Sequence, residues 1–524
     1  MERFFNTAGP IKTDYHYCIP PIERFDLDEI EMLIAQGKYF VLHAPRQVGK
    51  TSYLLALAEH LNNSGKYRCL YINVEGGQAS RENFSAVINE ILGEIVSRAR
   101  TMLDDDYPES VLDKARQSGG VSGVLSTLLT LWSEHDTKPL ILFIDEIDSL
   151  VGDSLLAVLR QLRAGYDKRP NSYPQSIILC GVRDVRDYRI HSTEGKEAVT
   201  GGSAFNIRAV SLRMGDFTHD EIERLYAEHT VATGQIFEDG VTDLVWKLTS
   251  GQPWLVNALA YEVCFAIKQN RDRTRNITSK MILEAKENII LRRETHLDQL
   301  VHKLEEERVR RVIEPILSGE GEPEIIPGDD LQYAIDLGLV TADKQLRIAN
   351  EIYKEVIPRE LTYTTQVTII HDAEWYVTDD GALDMTKLLA AFQQFFREHS
   401  ESWVERFEYK EAGPQLLLQA FLQRIVNGGG QIHREYGLGR RRTDLLLVWP
   451  TPSGEQRTVI ELKIQYKSLE ETESKGIEQT AWYMDRVNSN DGHLLIFNRN
   501  PNISWEEKIF TKTVEAKKIQ IWGM

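Results

Sequence analysis

The chain has 524 residues, of which 42% are hydrophobic and 27% charged, and its formal net charge is −18. That length exceeds what one hydrophobic core supports, so three or four domains are expected, and no stretch approaches the roughly 20 apolar residues of a membrane span. Four scattered cysteines without a CxxC pair argue against a zinc site. With an N-terminus that lacks signal-peptide order, they point to the cytoplasm. The acidic balance runs against a protein coated in nucleic acid, although a local basic groove can coexist with an acidic body.

In chain order, a helix-like run from Asp26 to Ile34 leads to a short β-prone run, Tyr39 to Leu42. Then come Ala44, Pro45, Arg46, Gln47, Val48, Gly49, Lys50, Thr51 and Ser52, and an apolar helix continues from Tyr53. Strand, tight turn and helix start in this order make a phosphate cradle. Backbone N–H groups point at an anion, Lys50 reaches the β and γ phosphates of ATP, and the Thr51 hydroxyl holds Mg²⁺. The position most often occupied by Gly is Ala44, which is still small.

Arg68 to Val74 reads as the next strand and Phe84 to Arg100 as an amphipathic helix, the βαβ order of a mainly parallel sheet. Five apolar residues, Leu140 to Ile144, then end in Asp145 and Glu146. Asp145 is expected to hold Mg²⁺ through water and Glu146 to polarise the water that attacks ATP. The strand from Ser176 leads to Arg183 and Asp184, which read either as γ-phosphate sensors or as a solvated charged loop. Arg160, Arg163 and Arg186 are the candidates for an arginine finger from a neighbouring subunit. Beyond Asp216 the pattern turns helical: Thr218 and Glu221 have capping-box spacing, and Gly251-Gln252-Pro253 opens an apolar helix suited to a lid over the nucleotide.

The stretches APRQVGKTS, LILFIDEID, GVRD and SGQPWLVNALA together resemble P-loop ATPases of the AAA+/STAND type, in particular the archaeal-ATPase-like and bacterial AAA-like proteins, over about residues 15–365. The resemblance implies ATP and Mg²⁺ as cofactors, a homo-oligomer, a lid that begins at the last motif, and a winged helix after it.

Near the C-terminus, Thr443 to Val448 and Thr458 to Lys463 read as two strands joined by a hairpin. Alternation puts Glu461 and Lys463 on one face, and the hairpin can bring Asp444 beside them. Two carboxylates and an ammonium on one face suit a hard divalent metal and an activated water. This D…ExK pattern resembles the PD-(D/E)XK nuclease superfamily from about Trp403 to Trp522, with Glu435 as an additional acid and Gln479 in the following helix. The resemblance implies that Asp444 and Glu461 hold Mg²⁺, that Lys463 positions water, and that Gln479 assists. Arg440, Arg441 and Arg442 read either as phosphate contacts to DNA or as a solvated basic turn.

The expected fold is α/β: a parallel-sheet P-loop NTPase core (1–215), a helical lid (216–300), a winged helix (301–365), a connector (366–390) and an α/β restriction-endonuclease-like domain (391–524). The expected function is an ATPase that controls a Mg²⁺-dependent nuclease acting on DNA. Resemblance to fused ATPase–nuclease proteins implies defence against foreign DNA. The other reading is a nucleotide-gated scaffold whose last domain only binds DNA or protein.

Overall fold

The computed structural model describes all residues except 1, 81–82, 184–188, 192–197, 201–207, 293–294, 319–325, 344–345, 362–375, 407–416, 420, 423–429, 439–440, 466–467, 499, 501–502 and 516–517. Residues 366–375 of the expected connector lie outside the described residues. Among the described residues no helix is long and apolar enough to cross a membrane. The chain divides into two compact units. The first comprises Met1–His296, Gln332–Gln345 and Ala349–Glu351; the second comprises Leu297–Leu331, Leu346–Ile348 and Ile352–Met524.

The first unit is built on five parallel strands, β1 (Tyr39–His43), β2 (Arg68–Asn73), β3 (Leu140–Asp145), β4 (Ser176–Gly181) and β5 (Arg208–Arg213), in the spatial order β2-β3-β4-β1-β5. All six residues of β3 are buried, as a central strand covered on both faces requires. Alternate residues feed two cores. Tyr39 and Val41 of β1 face a layer that includes Ile91 of α3 (Phe84–Leu103), Leu128 and Trp132 of α4 (Tyr107–His135) and Leu159 of α5 (Gly152–Arg163). Phe40 and Leu42 face Ile34 of α1 (Leu27–Ala35) and Leu54 and Leu57 of α2 (Lys50–Asn63). Because the strands run parallel, the loops after β1, β3 and β4 emerge at one edge, where ligands of open α/β sheets bind.

The region expected to form the lid holds α6 (His219–Thr233), α7 (Val241–Thr249), α8 (Pro253–Tyr261) and α9 (Ser279–Arg292). The expected capping box closes α6: the Glu221 N–H donates to Thr218 Oγ1, and the Thr218 N–H donates to Glu221 Oε2. Gly251, at φ +82°, receives a hydrogen bond from the Phe217 N–H, and a Cβ there would lie 2.0 Å from the Phe217 carbonyl oxygen. The chain's first residues join this part of the unit. Phe4–Phe5 pairs in parallel with His16–Tyr17, and the rings of Phe5 and Tyr17 pack on His229 of α6.

The second unit holds a mixed six-stranded sheet. Its strands β6 (Gln431–Leu438), β7 (Arg441–Thr451), β8 (Gly454–Ile464), β9 (Asp491–Phe497), β10 (Thr511–Val514) and β11 (Ile519–Gly523) lie in the order β6-β7-β8-β9-β11-β10. The pairings β6/β7, β7/β8 and β10/β11 are antiparallel, whereas β8/β9 and β9/β11 are parallel. The crossover between parallel β8 and β9 is made by α10 (Leu469–Val487), whose Tyr483, Met484 and Val487 pack on Val459, Leu494 and Ile496. Gly476 lets the helix approach, since a Cβ there would come 2.6 Å from the Leu494 side chain.

Candidate functional site

The turn between β1 and α2 is shaped by backbone conformations that few residues adopt. Gln47 (φ +59°) and Gly49 (φ +105°) are both left-handed, and Gly49 is the N-cap of α2. Nothing stands within 4 Å of where a Gly49 Cβ would be, so the backbone there is open to close approach by a ligand. Ala44 is fully buried, and its N–H donates to the Gly181 carbonyl at 3.2 Å. That enclosure explains why a small residue suffices at this position without being Gly.

Lys50, at the first position of α2, is 6% exposed, and its Nζ donates to the carbonyls of Ala44 and Pro45, each at 3.0 Å. The ammonium is thereby pinned over the turn. The Thr51 hydroxyl donates to Asp145 Oδ2 at 2.7 Å, and the Glu146 N–H donates to Asp145 Oδ1 at 3.0 Å. Asp145 is wholly buried. Glu146 takes a left-handed conformation (φ +57°) directly after β3. Burial pushes its carboxyl above the usual range, and Lys50 and Arg46 partly offset this. A hydroxyl and a carboxylate in contact form a hard-oxygen donor set that fits Mg²⁺. Open backbone at a helix N-terminus beside an ammonium fits the phosphates of ATP. Ser52 faces elsewhere: its Oγ accepts from the Ile11 N–H at 2.9 Å, tying the N-terminal segment to α2.

Two side chains at this site, Tyr71 and Asp336, lie outside the sequence motifs. Tyr71 on β2 donates its phenol to Asp145 Oδ2 at 3.0 Å. Asp336 receives the Nε–H of Arg183 at 3.2 Å, and the Arg183 guanidinium lies 4.9 Å from the ring centre of Tyr333. Asp336 is 2% exposed. Two further contacts hold the same segment: Arg213 Nη2 donates to the Ile335 carbonyl at 3.2 Å, and a Cβ on Gly338 (φ +75°) would come 2.8 Å from the Pro45 ring. Residues 333–338 thus lie against both the phosphate turn and the end of β4. Asp148 Oδ1 accepts from the Val182 N–H at 3.1 Å and joins the end of β3 to that of β4. Arg160 and Arg163 are exposed on α5; Asp184 and Arg186 lie outside the described residues.

Residues 34–188 match the family model described as an AAA domain. This stretch is similar to AAA domains. The match supports an ATP-binding P-loop ATPase, and Lys50, Thr51, Asp145 and Glu146 all fall within the matched residues. The matched stretch and the parts around it are also similar to solved structures. The Walker-type ATPase of Pyrococcus abyssi is 16% identical, with a TM-score of 0.46, covering 67% of this chain and 99% of that one. The RuvB Holliday junction branch migration motor of Thermotoga maritima is 13% identical (TM-score 0.33; 62% and 90% covered). Domain III of the replication initiation protein DnaA of Thermotoga maritima is 12% identical (TM-score 0.33; 53% and 98% covered). No curated protein matches the chain.

In the second unit, Glu461 is 2% exposed and accepts from Lys463 Nζ at 2.8 Å. Both alternate with Leu462 and share the face of Val459, which packs under α10. Leu445 of β7 pairs with Ile460 of β8. Asp444, the preceding residue of β7, therefore falls at the register position opposite Glu461. The side chains of Asp444, Glu435, Arg441 and Arg442, and the whole of Arg440, lie outside what is described. Gln479 sits half-buried in α10. Glu461 and Lys463 thus form an ion pair on one face of β8, and a carboxylate is a hard-oxygen donor of the kind Mg²⁺ takes.

Proposed function

We propose that ATP binding and hydrolysis by the AAA domain govern Mg²⁺-dependent cleavage of DNA phosphodiesters by the second unit. Lys50 and the N–H groups of the turn hold the β and γ phosphates, Thr51 and Asp145 hold Mg²⁺, and Glu146 takes a proton from the attacking water. Bound Mg²⁺ supplies neutralisation of phosphate charge at both sites. In the second unit Asp444 and Glu461 hold the metal, Lys463 positions the water, Gln479 assists, and Arg440, Arg441 and Arg442 contact phosphates. The active form is a homo-oligomer in which Arg160, Arg163 or Arg186 reaches a neighbour's nucleotide. The biological role is removal of foreign DNA.

The observation that carries the control step is the Arg183–Asp336 ion pair. A γ-phosphate within reach of Arg183 competes with Asp336 for the guanidinium. The chain enters the first unit at Gln332, passes into the second over Leu346–Ile348 and leaves the first for good after Glu351, so loss of this pair acts on the segment that continues into the second unit. A plasmid-cleavage assay with Mg²⁺, with and without ATP, tests the step in an Asp336→Asn variant. Cleavage that no longer needs ATP is expected. Retention of the wild-type ATP requirement would refute the control by Asp336.

A further inference from the structure

We infer that Tyr71 is a positioning residue for the Mg²⁺ site, one that decides which oxygen of Asp145 faces the metal; the inference rests on the ATP–Mg²⁺ reading above. The Asp145 carboxylate is fully buried and cannot borrow hydrogen bonds from bulk water. Its Oδ2 accepts from Thr51 Oγ1 at 2.7 Å and from the Tyr71 hydroxyl at 3.0 Å, and its Oδ1 accepts from the Glu146 N–H at 3.0 Å. A carboxylate oxygen has two in-plane lone pairs, so Thr51 and Tyr71 together fill Oδ2. The Cys180 thiol also bonds this carboxylate, and with Oδ2 filled the acceptor capacity left for a metal-bound water would lie on Oδ1. Tyr71 thereby prevents the carboxylate from turning about its Cβ–Cγ bond, a rotation that would exchange the two oxygens.

The strand register shows why this residue reaches. Tyr71 pairs with Phe143, and Asn73 pairs with Asp145, so the phenol extends about two residues up the sheet to meet the carboxylate. Tyr71 is 2% exposed. From outside the sheet the Arg98 guanidinium stands 5.5 Å from the Tyr71 ring centre, and Glu94 holds Arg98 at 2.8 Å. A cation over the ring draws electron density from the phenol and strengthens its donation to Asp145. The chain Glu94, Arg98, Tyr71, Asp145 is thus an outer support for a metal-holding acid, of the kind that tunes metal affinity in other sites.

The test is Mn²⁺ binding to the full-length protein with saturating ADP, read by electron paramagnetic resonance, alongside ADP binding in EDTA. Tyr71→Phe removes only the hydroxyl. It is expected to weaken Mn²⁺ binding about tenfold, the scale of one hydrogen bond to a charged group, and to leave metal-free ADP affinity unchanged. Arg98→Gln, which keeps the phenol, is expected to weaken Mn²⁺ binding by a smaller factor of about two to three. Wild-type Mn²⁺ affinity in Tyr71→Phe would overturn the role of Tyr71, as would a parallel loss of metal-free ADP binding. A wild-type protein that binds neither ADP nor Mn²⁺ would instead sink the ATP–Mg²⁺ reading on which the inference stands.

Discussion

Lys50 and Glu146 sit on opposite sides of the same chemistry, and their substitutions should separate binding from turnover. Lys50→Ala removes the ammonium now held over the turn by two carbonyls, and nucleotide binding should fall below detection by fluorescence titration. Glu146→Gln keeps the shape and the backbone N–H that holds Asp145. It should retain ATP binding while slowing hydrolysis by about 10²–10⁴-fold, the usual worth of a general base; normal turnover would remove Glu146 from that role. A second residue-scale effect concerns His296, which stacks on Trp254 and whose imidazole burial pushes down to about 3. The folded state holds this ring neutral while the unfolded chain protonates near 6.5. Stability should therefore be full above that pH and fall by about 1.4 kcal/mol per unit as pH drops from 6.5 toward 3. Urea unfolding of wild type and His296→Phe at two pH values checks this: the variant should show the shallower slope, and equal slopes would contradict it.

At the scale of elements, what was legible depended on how local the signal was. The strand, turn and helix around Lys50, the apolar run ending in Asp145 and the capping box at Thr218 are each set by residues close together in sequence, and all appear where their patterns place them. The hairpin of β7 and β8 and the pairing of Glu461 with Lys463 follow from two-residue alternation in the same way. Tyr71 and Asp336 were not legible, because each meets its partner from a distant strand or helix and neither belongs to a short motif. Arg183 was legible as a polar residue at a strand end, but its partner was not. The turn at Gly251 offers a direct check on the lid. Gly251 combines φ +82° with a backbone oxygen where a Cβ would stand, so Gly251→Ala should cost about 2 kcal/mol or more. An unchanged urea midpoint would show that the Phe217 to Gly251 turn does not govern the stability of α8.

For the molecule as a whole, length pointed to more than one part, and the chain divides into two compact units. The two compact units do not follow a simple division of the chain, however. Residues 332–345 return to the first unit after 35 residues of the second, a long-range arrangement that local periodicity does not encode. The central claim is that the two chemistries are coupled, and one measurement addresses it most directly: cleavage of plasmid DNA by the full-length protein with Mg²⁺, with and without ATP, in wild type, Lys50→Ala and Glu461→Gln. The account predicts Mg²⁺-dependent cleavage that responds to ATP in wild type, loses that response in Lys50→Ala, and disappears in Glu461→Gln. No cleavage by wild type with any divalent metal, or cleavage that survives Glu461→Gln unchanged, would contradict it.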